Sequence, residues 1–174
     1  FFHHFESKEA LGVAAAERWT GRARDHIFDD PRLTTIADPR ERVLAHIDLR
    51  LALVDGPVED FTCFVGTMVQ ESFATSEPLR HAADASLTAY AERLAEDIQE
   101  AFDRYGSAVA GMTAQSLAYH IQAALQGAFI LAKAKCDPSQ ARDSIAHLRR
   151  YVAAVLGKQP ISIVKRKGLL ERIA

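Results

Sequence analysis

The chain has little of what marks secreted, metal-binding or membrane-spanning proteins. Among its 174 residues are two cysteines, Cys63 and Cys136, too few for a disulfide framework and not at a metal-site spacing. Sparse cysteine favours a reducing compartment, so we expect a cytoplasmic protein. No uninterrupted apolar run is long enough to cross a bilayer, and we therefore expect no membrane partner. A chain of this length can still bury a hydrophobic core without cross-links.

Excess basic charge and catalytic motifs are absent as well. The formal net charge of -2 argues against a chain whose main work is holding phosphates, because nucleic-acid-binding domains are usually strongly basic. The sequence has no glycine-rich phosphate loop, no His-Glu-x-x-His and no Gly-x-Ser-x-Gly motif. We therefore predict a protein that is not an enzyme, and the sequence indicates neither a cofactor nor a metal site.

Strand-like alternation is confined to Ile161–Val164, which is too isolated to build a sheet. Apolar residues recur instead at helical spacing, and capping signals such as Asp38-Pro39 and Ser76-Glu77-Pro78 mark where helices begin. These patterns predict an all-α fold of about six main helices, over residues 7–28, 38–54, 58–74, 76–105, 113–135 and 137–156.

Bulky apolar side chains on the third and fourth predicted helices could enclose a small-molecule cavity. A filled core is the alternative for each of these residues. Tyr90 stands out because a buried hydroxyl needs a partner, which Gln70 or Gln122 could supply. The residues predicted to line the pocket are Phe61, Phe64, Met68, Leu87, Tyr90, Leu94, Ile121 and Leu125.

Three other side chains are expected to have structural roles, and a fourth, Cys136, is a candidate sensor. Trp19, the single tryptophan, is expected to anchor the first helix on the core, and Cys63 to act as a small buried hydrophobe. His120 is expected to be a core or interface histidine rather than a catalytic group. Cys136, next to a helix start, is the better candidate for a thiol sensor.

The opening residues combine aromatics, two histidines and a helix start at Ser7, a good N-cap. They read Phe1-Phe2-His3-His4-Phe5-Glu6-Ser7-Lys8-Glu9-Ala10-Leu11. This string resembles the aromatic-x-His-Phe-x-Ser-Lys-x-x-Leu run that closes the DNA-binding domain of TetR-family transcriptional repressors. The predicted helix order also resembles that family's regulatory domain, as do the stretches 63–82 and 126–135.

The resemblance implies a division of the chain into three parts. Residues 1–6 would be the end of a helix-turn-helix DNA-binding domain, and 158–174 a C-terminal tail. Residues 7–157 would form a connector helix and a TetR-like regulatory domain that binds a ligand and dimerises. The dimer would form through a four-helix bundle of the last two helices of each copy.

The resemblance also implies roles for individual residues. Phe2, His3 and Lys8 fall at positions that meet DNA phosphates, although Phe2 lacks the hydroxyl of the tyrosine that is usual there. Contacts to phosphates position a protein on DNA and make its affinity depend on salt. The implied residues of the two-fold dimer interface are Gln126, Gly127, Phe129, Ile130, His147, Leu148, Tyr151 and Val152.

These observations predict a homodimeric repressor of double-stranded DNA, which binds DNA through a domain preceding residue 1. A small apolar or aromatic effector would occupy the pocket and release the operator. The alternative is an all-helical dimeric interaction module without a small-molecule ligand. A cavity between the middle helices distinguishes the two.

Overall fold

The computed structural model describes residues 5–158, and within them the chain forms eight α-helices and one π-helical turn. The helices are α1 (Lys8–Ala23), α2 (Pro31–Thr34), α3 (Pro39–Ala52), α4 (Val58–Phe61), α5 (Phe64–Ser72), α6 (Glu77–Tyr105), α7 (Ala114–Lys135) and α8 (Ser139–Val155). The π-helical turn, Arg24–Phe28, continues α1 directly. The all-helical prediction is confirmed.

Polar caps begin most of the long helices where the sequence places them. The Ser7 hydroxyl accepts from the Ala10 amide at 3.0 Å, and an Asp38 carboxylate oxygen accepts from the Arg40 amide at 2.9 Å. Thr113 forms a reciprocal capping box with Ser116 at the start of α7. Because these bonds satisfy amides that the first helical turn leaves unpaired, local sequence is enough to fix the helix starts.

The single helix predicted over 58–74 is wrong in one respect, because the chain breaks it in two. Thr62 is extended, with ψ of 161°, and Cys63 is the N-cap of α5. The Cys63 Sγ accepts from the Gly66 amide at 3.3 Å. The short helix α2 was not predicted, although Asp30-Pro31 has the cap and first-position proline that begin α3 as well.

The core lies where α3, α6, α7 and α8 meet. Its central side chains are completely or almost completely buried: Val43, Ile47, Leu94, Ile98, Leu117, Ile121 and Val152. We call this cluster the packed region. None of the helices within residues 5–158 is long and apolar enough to cross a membrane.

The connector, α1 with its π-helical turn, packs mainly along α6. At Gly12 the approach is so close that an added Cβ would lie 2.6 Å from a methyl group of Leu79. Further along, the Thr20 hydroxyl donates to the Ser86 hydroxyl at 2.7 Å. Helix α1 is therefore held to α6 at two points, Gly12 and Thr20, and α6 in turn belongs to the packed region.

Candidate ligand-binding site

A cavity of about 450 Å³ lies between the connector and helices α3, α4, α6 and α7. This volume falls within the range of roughly 300–1,000 Å³ that is usual for small-molecule sites. The connector forms one wall, and the four helices form the opposite wall and floor. The cavity therefore sits at the junction between the element that leads to the N-terminus and the rest of the fold.

Apolar side chains form most of the cavity wall. From the helices facing the connector come Phe61, Leu87, Leu125 and Phe129, and the Phe61 and Phe129 rings pack with centroids 6.2 Å apart. Trp19 lines the cavity from α1 and is only partly buried. A wall of this kind suits a compound with an apolar or aromatic body.

The π-helical turn supplies the part of the connector wall nearest the core. Ile27 and Phe28 are buried there, and both line the cavity. Such a turn holds one extra residue compared with an α-helical turn, and π-turns within α-helices are frequent at functional sites. A ligand in the cavity would contact this wider turn directly.

Phe28 and Tyr90, which both line the cavity, form an aromatic cluster with His46, which does not. The Phe28 ring stacks on the imidazole with centroids 5.1 Å apart, and Tyr90 Oη lies 2.8 Å from His46 Nε2. Burial, together with the positive charges of Arg50 and Arg93, lowers the pKa of His46 to about 3. Burial raises the pKa of the Tyr90 phenol to about 12. Both side chains are therefore neutral near pH 7.

The partner of Tyr90 differs from the two glutamines that the sequence offered. The Gln70 amide group donates to the Gly66 carbonyl at 2.8 Å, and that of Gln122 points to the Leu87 carbonyl at 3.4 Å. His46 precedes Tyr90 by 44 residues and lies on a different helix. Only the packing of α3 against α6 brings these two polar atoms together.

Two arginines line the cavity with different surroundings. The Arg93 guanidinium is 3.4 Å from carboxylate oxygens of both Glu96 and Asp97, and it lies near the Phe28 ring. Arg50 lies with its guanidinium carbon 5.3 Å from the centroid of the Phe129 ring. Its Nε is buried, and no atom of residues 5–158 accepts a hydrogen bond from it.

The structure brings together half of the residues predicted to line the pocket. Phe61, Leu87, Tyr90 and Leu125 line the cavity. Leu94 and Ile121 lie instead in the packed region, fully buried. These two share a helical stripe with cavity residues, but they sit where the surrounding helices have closed on one another.

The other two predicted residues lie on α5, away from the cavity. The Phe64 ring is 40% exposed and packs on Trp19, with centroids 6.3 Å apart. Met68 is partly buried in a small cluster between α1, α5 and α6. The break at Thr62 and Cys63 is the reason, because it redirects α5 and leaves Cys63 rather than Phe64 on the cavity wall.

Five further residues line the cavity without having been predicted there from the sequence: Trp19, Ile27, Phe28, Arg50 and Cys63. Trp19, expected to be a core anchor, joins the connector to α5 and also faces the cavity. An aromatic residue close to the end of a connector helix is the one sequence signal that could have indicated this wall. The position of Arg50 has no such signal, because its lack of a partner depends on the tertiary structure.

A second surface of interest is the outer face of α7 and α8. Apolar side chains there are unusually exposed, and Ile130 at 45%, Leu131 at 47% and Tyr151 at 42% border a shallow groove. The His120 ring meets the Tyr151 ring edge to face, with centroids 5.0 Å apart. A face of this composition is typical of a surface that another protein chain covers.

The predicted interface residues divide between this groove and the protomer interior. Gly127, Ile130, His147 and Tyr151 line the groove, and the buried Leu148 forms part of its floor. Phe129 and Val152 are buried inside the protomer, where the packing of α7 on α4 and α8 places them. Gln126 lines the cavity and approaches Gly66 of α5.

The residues implied to contact DNA lie at the start of the connector. Lys8, the first residue of α1, is exposed. Phe2 and His3 lie outside the described residues, as does the tail from residue 159 onward. Cys136 is an exposed residue in the left-handed conformation that ends α7, with φ of 50°.

Comparison with known families gives a match over most of the ordered helices. Residues 39–148 match the family model described as the C-terminal domain of tetracyclin repressor-like proteins. This range runs from the first residue of α3 into α8, and so includes the cavity residues of α3, α4, α6 and α7 and the part of the α7–α8 face up to residue 148. Among curated protein sequences, none matches the chain.

Solved structures show the same fold at low sequence identity. The reduced form of NemR from E. coli is 23% identical and has a TM-score of 0.67, over 89% of this chain and 77% of that one. A TetR transcriptional regulator from Chloroflexus aurantiacus is 23% identical with a TM-score of 0.72, over 88% and 76%. A TetR-family regulator from Agrobacterium tumefaciens is 20% identical with a TM-score of 0.71, over 86% and 77%.

Proposed function

Because the chain belongs to the tetracyclin repressor-like (TetR) family of transcriptional regulators, we propose that it is a homodimeric repressor controlled by a small effector. The effector is an apolar or aromatic compound that binds in the cavity and causes release of operator DNA. DNA is bound through a domain that precedes residue 1, in the cytoplasm, and the chain has a regulatory rather than an enzymatic role.

The observation that carries this proposal is a cavity with the connector as one wall. An effector there touches Trp19, Ile27 and Phe28 on the connector and Leu87 and Leu125 on the opposite wall. It therefore binds best when the two walls have one particular spacing. The ligand and DNA favour different arrangements of the connector in this proposal. Binding of either one therefore weakens the binding of the other.

At the N-terminal end of the connector, the effect of the ligand reaches the DNA. Lys8 is exposed at the start of α1, and we assign it, with Phe2 and His3, to contacts with DNA phosphates. Two copies of the connector in a dimer would set the distance between two DNA-binding domains. A shift of the connector at Phe28 changes that distance, and with it the fit to two operator half-sites.

The alternative, an interaction module without a small ligand, is less well supported. Such a module needs the exposed α7–α8 face but has no use for a cavity of about 450 Å³ lined by aromatic side chains. A largely apolar cavity of this size is the usual form of a small-molecule site, whereas dimerisation needs only the interface. We therefore favour the effector-binding function.

Effector binding can be tested through Trp19, the only tryptophan in the chain, which lines the cavity. A library of small apolar and aromatic compounds is screened for changes in tryptophan emission and in melting temperature. We expect Leu87→Phe to weaken every hit by about tenfold or more, because the added ring fills cavity volume. Val109→Phe, at an exposed loop position outside the cavity, is the matched control.

Hits are then added to the regulator bound through its complete DNA-binding domain to an operator fragment, and release is followed by fluorescence anisotropy. A library in which no compound changes Trp19 emission or melting temperature would favour the interaction module. Hits that bind without altering DNA affinity would contradict the repressor mechanism while leaving the cavity a binding site.

The dimer is proposed to form through the α7–α8 groove and the exposed residues Ile130, Leu131, His147 and Tyr151. We expect Ile130→Glu to convert the dimer into a monomer in sedimentation equilibrium, because it places a charge in an apolar interface. Phe73→Glu is the control, since Phe73 is 63% exposed on a different face. Dissociation by Phe73→Glu but not by Ile130→Glu would move the interface to α5.

A further inference from the structure

The cavity is lined by a partly buried arginine, Arg50, that no carboxylate among the described residues pairs. Arg42, Arg93 and Arg149 each contact at least one carboxylate, whereas no ion pair among residues 5–158 involves Arg50. The Nε of Arg50 is buried without a hydrogen-bond acceptor. A buried donor nitrogen of arginine is rarely left without an acceptor, because water, a carbonyl or a carboxylate normally satisfies it.

Two local features explain how the fold tolerates this guanidinium in the absence of a ligand. Arg50 lies in the last turn of α3, where the negative end of the helix dipole stabilises a cation. The Phe129 ring, 5.3 Å away, adds a favourable cation–π contact. Neither feature is a hydrogen bond, and none from Arg50 is present among the described residues. The hydrogen-bonding capacity of Arg50 therefore remains available to a molecule in the cavity.

Tyr90, which also lines the cavity, has a hydroxyl whose only described partner is His46. His46 Nδ1 is buried and has no partner among the described residues, whereas Nε2 lies 2.8 Å from Tyr90 Oη. A buried N–H without an acceptor is rarer than an unused lone pair, so we place the imidazole proton on Nε2. His46 then donates to the Tyr90 oxygen, and the Tyr90 O–H has no acceptor within the described chain.

The charges facing the cavity favour an anion with a single negative charge. Arg93 is balanced by Glu96 and Asp97, and the acidic residues at the rim, Asp29 and Asp60, are exposed to solvent. His46 and Tyr90 are neutral, as described above. Arg50, which is partly buried, therefore carries a charge that no carboxylate within residues 5–158 compensates, and a monoanion bound beside it would neutralise that charge. Arg22, which also lines the cavity without an ion pair in that range, is exposed to solvent.

We propose that the effector is a small amphipathic organic acid whose carboxylate binds Arg50 while its apolar body lies against Phe61, Leu87 and Leu125. A carboxylate accepts hydrogen bonds only, and its two oxygens match the paired donors of a guanidinium. The apolar wall opposite accepts an aromatic ring or a short alkyl chain. This inference rests on the proposed effector function and specifies the chemical class of the ligand.

The test uses three probes of equal length and different charge: 3-phenylpropanoate, 3-phenylpropanamide and 3-phenylpropylammonium. Binding to the unmodified protein is measured through Trp19 emission and by titration calorimetry. We expect the acid to bind at least about tenfold more tightly than the amide, and the amine to bind more weakly than both. This comparison requires no variant, so it does not depend on how any substitution folds.

Arg50→Gln then assigns the preference to one side chain. We expect it to weaken the acid by about tenfold or more and to change the affinity for the amide by less than about threefold. Arg18→Gln is the matched control, because Arg18 is an exposed arginine of α1 that does not line the cavity. It should leave the preference for the acid intact.

Equal binding of acid and amide, or equal losses in Arg50→Gln and Arg18→Gln, would overturn the carboxylate assignment. Either result would leave the cavity as an effector site, because the amide and the compounds of the general screen would still bind. A protein to which neither these probes nor any screened compound binds would contradict the effector function itself. The two failures are therefore distinguishable.

Discussion

Two arginines of α3, Arg42 and Arg50, differ in whether carboxylates pair with their guanidinium groups. Near the start of α3, Arg42 Nε donates to Asp97 at 2.8 Å, Nη1 donates to the Ile36 carbonyl at 2.8 Å, and Nη2 donates to Glu100. About two helical turns later, Arg50 reaches the cavity and has no carboxylate partner among residues 5–158. One end of the helix uses its arginine to join helices, and the other end keeps its arginine unpaired.

Helix α6 repeats the contrast with leucines. Leu94 is fully buried in the packed region, whereas Leu87, seven residues earlier on nearly the same stripe, is partly buried at the cavity wall. Helix α6 therefore extends from the packed region into the wall of the cavity. The packed region and the proposed ligand cavity are built from the same helices and similar apolar residues. They differ in how closely the side chains pack.

The largest expected difference comes from truncating these two leucines. Leu94→Ala should lower the free energy of unfolding by about 3–5 kcal/mol, because the closed core cannot refill the space. Leu87→Ala should lower it by only about 1–2 kcal/mol, since this side chain already borders empty volume. Urea denaturation followed by circular dichroism measures both values. Similar losses in the two variants would mean that the cavity is filled in solution.

A smaller effect is expected from the two arginines of α3. Arg42→Met should destabilise the protein by about 1–2 kcal/mol, because Asp97 and Glu100 lose a partly buried partner. Their remaining contacts with Arg93 and Arg104 limit the loss. Arg50→Met should leave the unliganded protein within about 1 kcal/mol of the original stability, and could raise it, since an unsatisfied polar group is removed.

Melting temperatures at several salt concentrations provide the check on this second pair. The loss in Arg42→Met should shrink as salt rises, because screening weakens the ion pairs that the variant removes. An Arg50→Met protein that is clearly less stable than Arg42→Met would show that Arg50 holds the fold together. Its proposed role in ligand binding would then lack its physical basis.

Local signals in the sequence were enough for the helices but not for the cavity. Ser7, Asp38 and Thr113 begin helices as predicted, since an N-cap acts within three residues of itself. The break at Cys63 was missed, because its thiol caps α5 as a less common N-cap residue. Leu87 lines the cavity, but Leu94 on the same stripe of α6 is buried in the core. Leu125 and Ile121 of α7 differ in the same way.

Sequence patterns predicted the all-helical class, the long helices and the family resemblance of the opening motif, but not the short helix α2 or the break between α4 and α5. The predicted features depend on periodicity, capping and short-range pattern, which a linear chain contains in full. The tertiary structure places His46 against Tyr90, encloses Leu94 but not Leu87, and leaves Arg50 without a carboxylate partner among residues 5–158. The reason is physical: whether a side chain is paired or an interior is filled depends on residues far apart in the chain, which only the packing of the helices brings together.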